Sequence, residues 1–226
     1  SFIQSKEEKN RMKKHRLLGF AFLLQAVTAL FGSAVLLDAL FVDGDIVATM
    51  TNIAANPMQL RAGVLVETIT AMGIIFLGMM MFRTFKEINP KMATLALGLY
   101  IFEATLLALS RAYGLSLLHI SNEAIASGLP EHLQSMGDLA VTNLNFLYTL
   151  HMLPFCGGGF LFYLLFDKAG ILPRWVTLWG VITTGFTGVL TVTALLGVEV
   201  PFFLYLPYAP FEFVVGVWLL VKKYKK

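Results

Sequence analysis

Six apolar stretches separated by short polar segments dominate the sequence, at Leu17–Val42, Arg61–Phe82, Met92–Leu118, Leu139–Phe166, Trp175–Gly197 and Phe202–Val221. Each is close to, or longer than, the roughly 20 residues that a helix needs to cross a 30 Å hydrocarbon layer. The first is also longer than the apolar core of a secretory signal peptide, which has about 7–15 residues. The pattern predicts an all-α, polytopic membrane helical bundle with six transmembrane helices.

The basic residues fall on alternate connections between these stretches. They are Lys6, Lys9, Arg11, Lys13, Lys14 and Arg16 before the first; Arg83, Lys86 and Lys91; Lys168 and Arg174; and Lys222, Lys223, Lys225 and Lys226 at the end. The connections near 43–60, 119–138 and 198–201 contain no Lys or Arg. Because Lys and Arg are retained on the cytoplasmic side, we predict a basic cytoplasmic segment 1–16, a six-helix transmembrane domain 17–221 and a basic cytoplasmic tail 222–226.

Composition supports a membrane location. Hydrophobic residues make up 57% of the chain and charged residues 14%, against about 25% charged residues in a typical soluble domain. The net charge of +3 is explained by residues that set topology and meet anionic lipid, so we predict a lipid bilayer as partner and no nucleic acid. Cys156 is the one cysteine, and the motifs of common soluble enzymes are absent.

The two longer external connections have different characters. Residues 43–60 are typical of a short amphipathic helix, with Asp45 as its N-cap and Ile46, Met50 and Ile53 on one face. Residues 119–138 are polar and interrupted by Gly and Pro, which predicts a mobile segment or a lid. The connection at 198–201 is short, which predicts a tight antiparallel hairpin of the last two spans.

Ionisable residues at membrane depth are rare, and they mark functional or paired positions. This chain has seven of them: Asp38, Arg61, Glu67, Glu103, Arg111, His151 and Glu212. At about 1.5 Å per residue, Glu67 and Arg111 lie at similar depths below the external surface. We therefore predict an ion pair between Glu67 and Arg111, with Asp38 near enough in depth to pair with Arg61 or Arg111.

Glu103, His151 and Glu212 lie near the middle of the third, fourth and sixth stretches. The acids in the membrane outnumber the arginines, and this imbalance favours protonated Glu, a bound cation or water in a cavity. Alternatively, each Glu bonds a neighbouring carbonyl and only holds two helices together. Pro154 and Pro207 are expected to bend their helices, either around an internal cavity or simply for packing.

Several segments carry a resemblance to a known family: AANPMQLRAGVLVETITA, LYIFEATLLAL, LLFDKAGILPRWVTLWG and FEFVVGVWLLVKK. The chain resembles the bacterial membrane family known as domain of unknown function (DUF) 4386 from about Arg16 to Lys223. The resemblance implies six helices and a multi-pass location in the bacterial cytoplasmic (inner) membrane. It implies no activity, cofactor or catalytic residue.

These observations leave three functions open. The first is the binding or transport of a small ligand, a lipid-like molecule, a cation or a proton in a polar intramembrane cavity lined by Glu67, Glu103, Arg111, Tyr148, His151 and Glu212. The second is a membrane-embedded enzyme, in which Glu103, His151 and Glu212 would ligate a metal or transfer protons. The third is a non-catalytic sensor or assembly subunit. The sequence assigns no metal ligands, cofactor or oligomeric state.

Overall fold

The computed structural model describes residues 2–222 and forms α-helices with short π and 3₁₀ segments and no strand in that range. Ser1 and the predicted tail residues Lys223, Lys225 and Lys226 lie outside the described residues, as do the side chains of residues 2–9, Arg11 and Phe202. The helices are α1 Phe2–Leu30, α2 Ile46–Ala55, α3 Pro57–Phe85, α4 Pro90–Ala126, α5 Glu131–Leu150, α6 Met152–Ala169, α7 Arg174–Leu195 and α8 Phe211–Val221.

Within the described residues, five helical stretches are long and apolar enough to cross a membrane. They are Met12–Leu40, Pro57–Phe85, Pro90–Ala126, Glu131–Ala169 and Arg174–Leu195. The chain is therefore an all-α, multi-pass membrane protein, as predicted. Six spans and cytoplasmic termini stay predictions, because the sixth apolar stretch contains an 11-residue helix, α8, and not one continuous span.

The tight hairpin predicted at 198–201 is wrong. Helix α7 ends at Leu195 and α8 begins only at Phe211, with a 3₁₀ turn at Phe202–Tyr205 between them. Prolines at 201, 207 and 210 lack the backbone N–H that a continuous helix requires. The connection is fixed to α7 by Trp179, whose Nε1–H donates to the carbonyl oxygen of Pro207 at 2.9 Å.

The polar loop predicted at 119–138 is also wrong, because most of it is helical. Helix α4 continues to Ala126, and α5 begins at Glu131. The chain turns through Gly128 and Leu129, which have φ angles of +79° and +58°. The Leu129 N–H donates to the Ala124 carbonyl at 2.7 Å, so the turn satisfies a carbonyl at the helix end. A 20-residue lid is therefore not part of this fold.

The amphipathic helix predicted after the first span is confirmed as α2. The Asp45 carboxylate accepts the Ala48 N–H at 2.8 Å, so it caps the helix. Met50 and Ile53 are fully buried. Gly137 of α5 makes room for Met50, since a Cβ at Gly137 would lie 2.7 Å from the sulfur. Helix α2 is thus packed against protein through its apolar face.

Two helices depart from regular α geometry. The single helix predicted over 139–166 is interrupted at His151, between α5 and α6. Pro154 has no N–H to bond the carbonyl of Leu150, which accounts for the break at His151; the predicted bend stays a prediction. Helix α1 continues as a π-helix at Phe31–Leu37 and a 3₁₀ turn at Asp38–Leu40, which the sequence pattern does not indicate.

The chain divides into two compact units. The first comprises residues up to Ala26, Gly73–Glu103 and the chain from Met152 onward; the second comprises Val27–Met72 and Ala104–His151. The core of the first is aromatic, with ring contacts that join Phe85 to Phe166, Tyr163 to Phe211 and Phe155 to Tyr208, with centroids 4.6, 4.7 and 5.0 Å apart. The core of the second is aliphatic and includes Leu37, Leu40, Met50, Ile53, Leu60 and Leu117.

Candidate functional site

The ion pair predicted between Glu67 and Arg111 is present in the second unit. Arg111 of α4 donates through Nη2 and Nε to Oε2 of Glu67 in α3, at 3.0 and 3.3 Å. The two side chains are 6% and 2% exposed. A charge at such a depth is tolerated when it is paired and hydrogen-bonded, so each residue accounts for the burial of the other.

The π-helical part of the first span completes this ion pair. Ser33 donates its hydroxyl to Glu67 Oε1 at 3.2 Å, and its oxygen lies 3.4 Å from Arg111 Nη2. Gly32 precedes it, and a Cβ at that position would lie 2.5 Å from Glu67 Oε1. The carboxylate therefore occupies space that only glycine leaves free. We call Ser33, Glu67, Arg111 and Tyr148 the ion-pair cluster.

Tyr148 and His151 lie beside the ion pair at the end of α5. The Arg111 guanidinium is 4.6 Å from the centre of the Tyr148 ring, a cation–π distance. His151 is 7% exposed, and its Nδ1 contacts the carbonyl oxygen of Tyr148.

Asp38 and Arg61 do not join the ion-pair cluster through direct bonds. Both side chains are exposed, and neither has an ion-pair partner within 4.0 Å among residues 2–222. The Asp38 carboxylate attracts Arg111 at longer range. The predicted pair of Asp38 with Arg61 is therefore not formed in this structure.

A second polar cluster lies in the first unit and joins Glu212 to two tyrosines. Tyr208 donates its hydroxyl to Glu212 Oε1 at 2.9 Å, and the hydroxyls of Tyr208 and Tyr163 are 2.6 Å apart. With its amide nitrogen facing the carboxyl group, Gln25 of α1 donates to Glu212 Oε2 at 2.9 Å. The buried hydroxyl of Tyr100 interacts electrostatically with Tyr163 but has no hydrogen-bond partner among the described residues.

Glu103 of α4 is the other acid of this cluster. It is 3% exposed, its Oε2 has no hydrogen-bond partner in the described part of the chain, and the carboxyl group of Glu212 lies near enough to repel it electrostatically. Neither Glu103 nor Glu212 forms an ion pair in the described part of the chain. We call the set Gln25, Tyr100, Glu103, Tyr163, Tyr208 and Glu212 the tyrosine–glutamate cluster; it contains two acids and no base.

The six residues predicted to line one cavity are divided between the two units. Glu67, Arg111, Tyr148 and His151 lie in the second unit, and Glu103 and Glu212 lie in the first. A groove of about 500 Å³ is present between α6 and α7, but none of the six lines it. Among the side chains that the structure describes, no group of three or more His, Cys, Asp or Glu is placed to hold a metal ion.

Sequence reasoning missed several members of both clusters. Tyr208 precedes Glu212 by four residues, a spacing at which side chains on a helical turn meet. The sequence alone could therefore have indicated this contact. Ser33 and Gln25 are polar residues inside the first apolar stretch. Nothing in their spacing indicates which acid each one contacts.

The fold and its buried polar clusters define a multi-pass α-helical membrane protein with ionisable side chains in its core. A family model described as a domain of unknown function (DUF4386) matches residues 17–222. The chain belongs to this family, and the resemblance read from the sequence is confirmed. No curated protein and no solved structure matches the chain.

Proposed function

We propose that the protein binds a proton or a monovalent cation inside the membrane, at the tyrosine–glutamate cluster. The observation that carries the proposal is the burial of Glu103 and Glu212 together without an ion-pair partner among the described residues. Oε2 of Glu103 has no hydrogen-bond donor either. A positive species at this position would supply both the missing charge and the missing contact.

Electrostatics supports the binding of a positive species at the tyrosine–glutamate cluster. An unpaired charge is costly to bury, and a second acid nearby adds repulsion. The chain compensates Glu67 with Arg111, yet no such partner for Glu103 or Glu212 is present among the described side chains. A positive species from outside the chain would supply the missing charge. Buried acids of this kind are typical of proton and ion pathways in membranes.

The surrounding groups suit a hard, small cation or a proton. The cluster offers carboxyl and phenol oxygens, which are the ligand type that such cations prefer. The contacts from Tyr163 to Tyr208 and from Tyr208 to Glu212 form a row of groups able to pass a proton. The described residues bring no third His, Cys, Asp or Glu side chain to these two carboxyl groups. The site therefore suits a proton or a monovalent cation better than a transition metal.

The test is thermal unfolding of the purified protein in lipid nanodiscs. Na⁺, K⁺ or Li⁺ would be varied against choline at constant ionic strength, and pH would be varied separately. A ligand that binds only the folded state raises the unfolding midpoint, by about 2.7 kcal/mol at 100 times its Kd. If the species is a proton, stability should fall as the pH is raised, because ionised Glu103 and Glu212 then lack a counter-charge.

Glu103→Gln and Glu212→Gln should remove the response, because an amide keeps the shape of the side chain but takes up neither a cation by charge nor a proton. Glu123→Gln is the matched control, since Glu123 is exposed near the end of the same helix as Glu103. The proposal is wrong if the wild type responds neither to the cations nor to pH, or if both Gln variants respond as it does. A pH-indicator flux assay in liposomes then tests transport.

A further inference from the structure

The groove between α6 and α7 is lined by no member of either polar cluster. It has a volume of about 500 Å³ and is open along one side. Leu153, Gly157 and Phe160 of α6 line it, with Gly185, Val189 and Val192 of α7. Its size falls within the range of about 300–1,000 Å³ that is typical of small-molecule sites.

The polar side chains in the groove have no hydrogen available for a ligand. Thr184 donates its hydroxyl to the Gly180 carbonyl at 2.7 Å, and Thr193 donates to the Val189 carbonyl at 2.9 Å. Both hydroxyls are used within α7. Cys156 contributes a thiol, a weak donor. The surface that remains is one of methyl, methylene and ring groups, and it recognises hydrocarbon.

The position of the groove decides which hydrocarbon is available. Helix α6 belongs to the candidate span Glu131–Ala169, and α7 is the candidate span Arg174–Leu195. Val189 and Val192, on the α7 side, are 64% and 47% exposed. In a bilayer, the medium beside such exposed apolar residues is lipid. A flexible acyl chain of such a lipid can lie along an open groove of about 500 Å³.

Two glycines of α7 leave the groove unfilled by side chains. A Cβ at Gly185 would come no closer than 3.9 Å to Phe160, and a Cβ at Gly188 would contact the Cβ of Cys156 at 3.4 Å. The backbone conformation does not require glycine at position 185, which lies inside α7. The absent side chains therefore leave the hollow between the two helices.

We propose that this groove binds one acyl chain of a bilayer lipid, in a site that recognises the chain and not the headgroup. The inference is independent of cation or proton binding at the tyrosine–glutamate cluster. Because the lining carries no charged residue, lipids with different headgroups and the same chains should bind alike.

Native mass spectrometry of the protein released from nanodiscs tests the proposal. Wild-type protein should retain one lipid per chain from nanodiscs of phosphatidylethanolamine, and equally from phosphatidylglycerol with the same chains. Gly185→Leu, which places a side chain in the groove, should reduce the retained fraction at least fivefold. Gly98→Leu is the matched control, because Gly98 is an exposed helical glycine with no atom near its Cβ position, and it should retain lipid like the wild type.

A second measurement needs no variant. A phosphatidylethanolamine with a diazirine in the middle of one acyl chain should photo-label the peptides that contain 153–160 and 184–193 more strongly than other spans. Retention of only one headgroup class, equal retention by Gly185→Leu, or labelling spread evenly over all spans would each overturn the proposal. Lipid-free dimers in place of lipid-bound chains would show that a second copy fills the groove, which also overturns it.

Discussion

Replacing Arg111 by Met is the sharpest test of the ion-pair cluster. The substitution keeps a long apolar side chain in α4 and removes the two N–H donors that contact Glu67 Oε2 at 3.0 and 3.3 Å. Glu67, which is 1% exposed, then keeps only the hydroxyl of Ser33 as partner. A buried carboxylate is left without its counter-charge.

The size of the effect follows from that geometry. Removing one partner of a buried ion pair destabilises a protein by about 3–5 kcal/mol, because the other charge stays buried. Loss of the contact with Tyr148 adds about 0.5–1 kcal/mol, since that ring is partly exposed. Glu67→Gln alone should cost a similar amount, because Arg111 is then unpaired. The double variant should be less destabilised than the sum, with a coupling energy of about 1–3 kcal/mol.

The assay is equilibrium unfolding in mixed micelles, followed by the fluorescence of the three tryptophans. Arg61→Met is the matched control, because Arg61 is exposed and has no ion-pair partner in the described range. It should change the free energy of unfolding by less than about 0.5 kcal/mol. Equal effects of Arg111→Met and Arg61→Met, or additive effects of Arg111→Met and Glu67→Gln, would refute the reasoning.

Three smaller predictions use the same unfolding measurement. Gly158→Ala should destabilise by about 1–3 kcal/mol, because its Cβ would lie 2.6 Å from the Tyr100 ring; no loss would show that this packing can relax. Tyr208→Phe should cost about 1–3 kcal/mol, since Glu212 Oε1 loses its donor, and an unchanged midpoint would contradict that contact. Asp45→Ala should cost about 1 kcal/mol through loss of the α2 cap, whereas Asp45→Asn should keep most of the stability; an equal loss in both variants would contradict capping.

Helix positions and one contact followed from periodicity. Glu67 and Arg111 lie on consecutive spans, so counting residues from the connection between those spans was enough to pair them. The cap at Asp45 followed from a local rule that requires no tertiary information. These features depend on distance along a helix, a quantity that the sequence contains directly.

The wrong prediction at 119–138 and the missed contact of Ser33 have a different physical origin. Polar character at 119–126 was read as loop, although α4 simply continues with exposed polar side chains; polarity reports the surroundings of a helix, not its end. Ser33 reaches Glu67 because the first span turns π-helical at Phe31–Leu37. That change of register depends on tertiary packing against Glu67, and hydropathy cannot indicate it.

The structure divides the buried acids into two kinds that their number alone could not separate. Glu67 is compensated by a side chain of the same protein, and exchange of an external ion there would have to break a buried pair. Glu103 and Glu212 lack such compensation among the described residues, so a positive species from outside competes with no internal base. Glu67→Gln should therefore lower stability but leave the response to cations or pH intact. Glu103→Gln should do the reverse, because an uncharged amide at position 103 is not repelled by the carboxylate of Glu212.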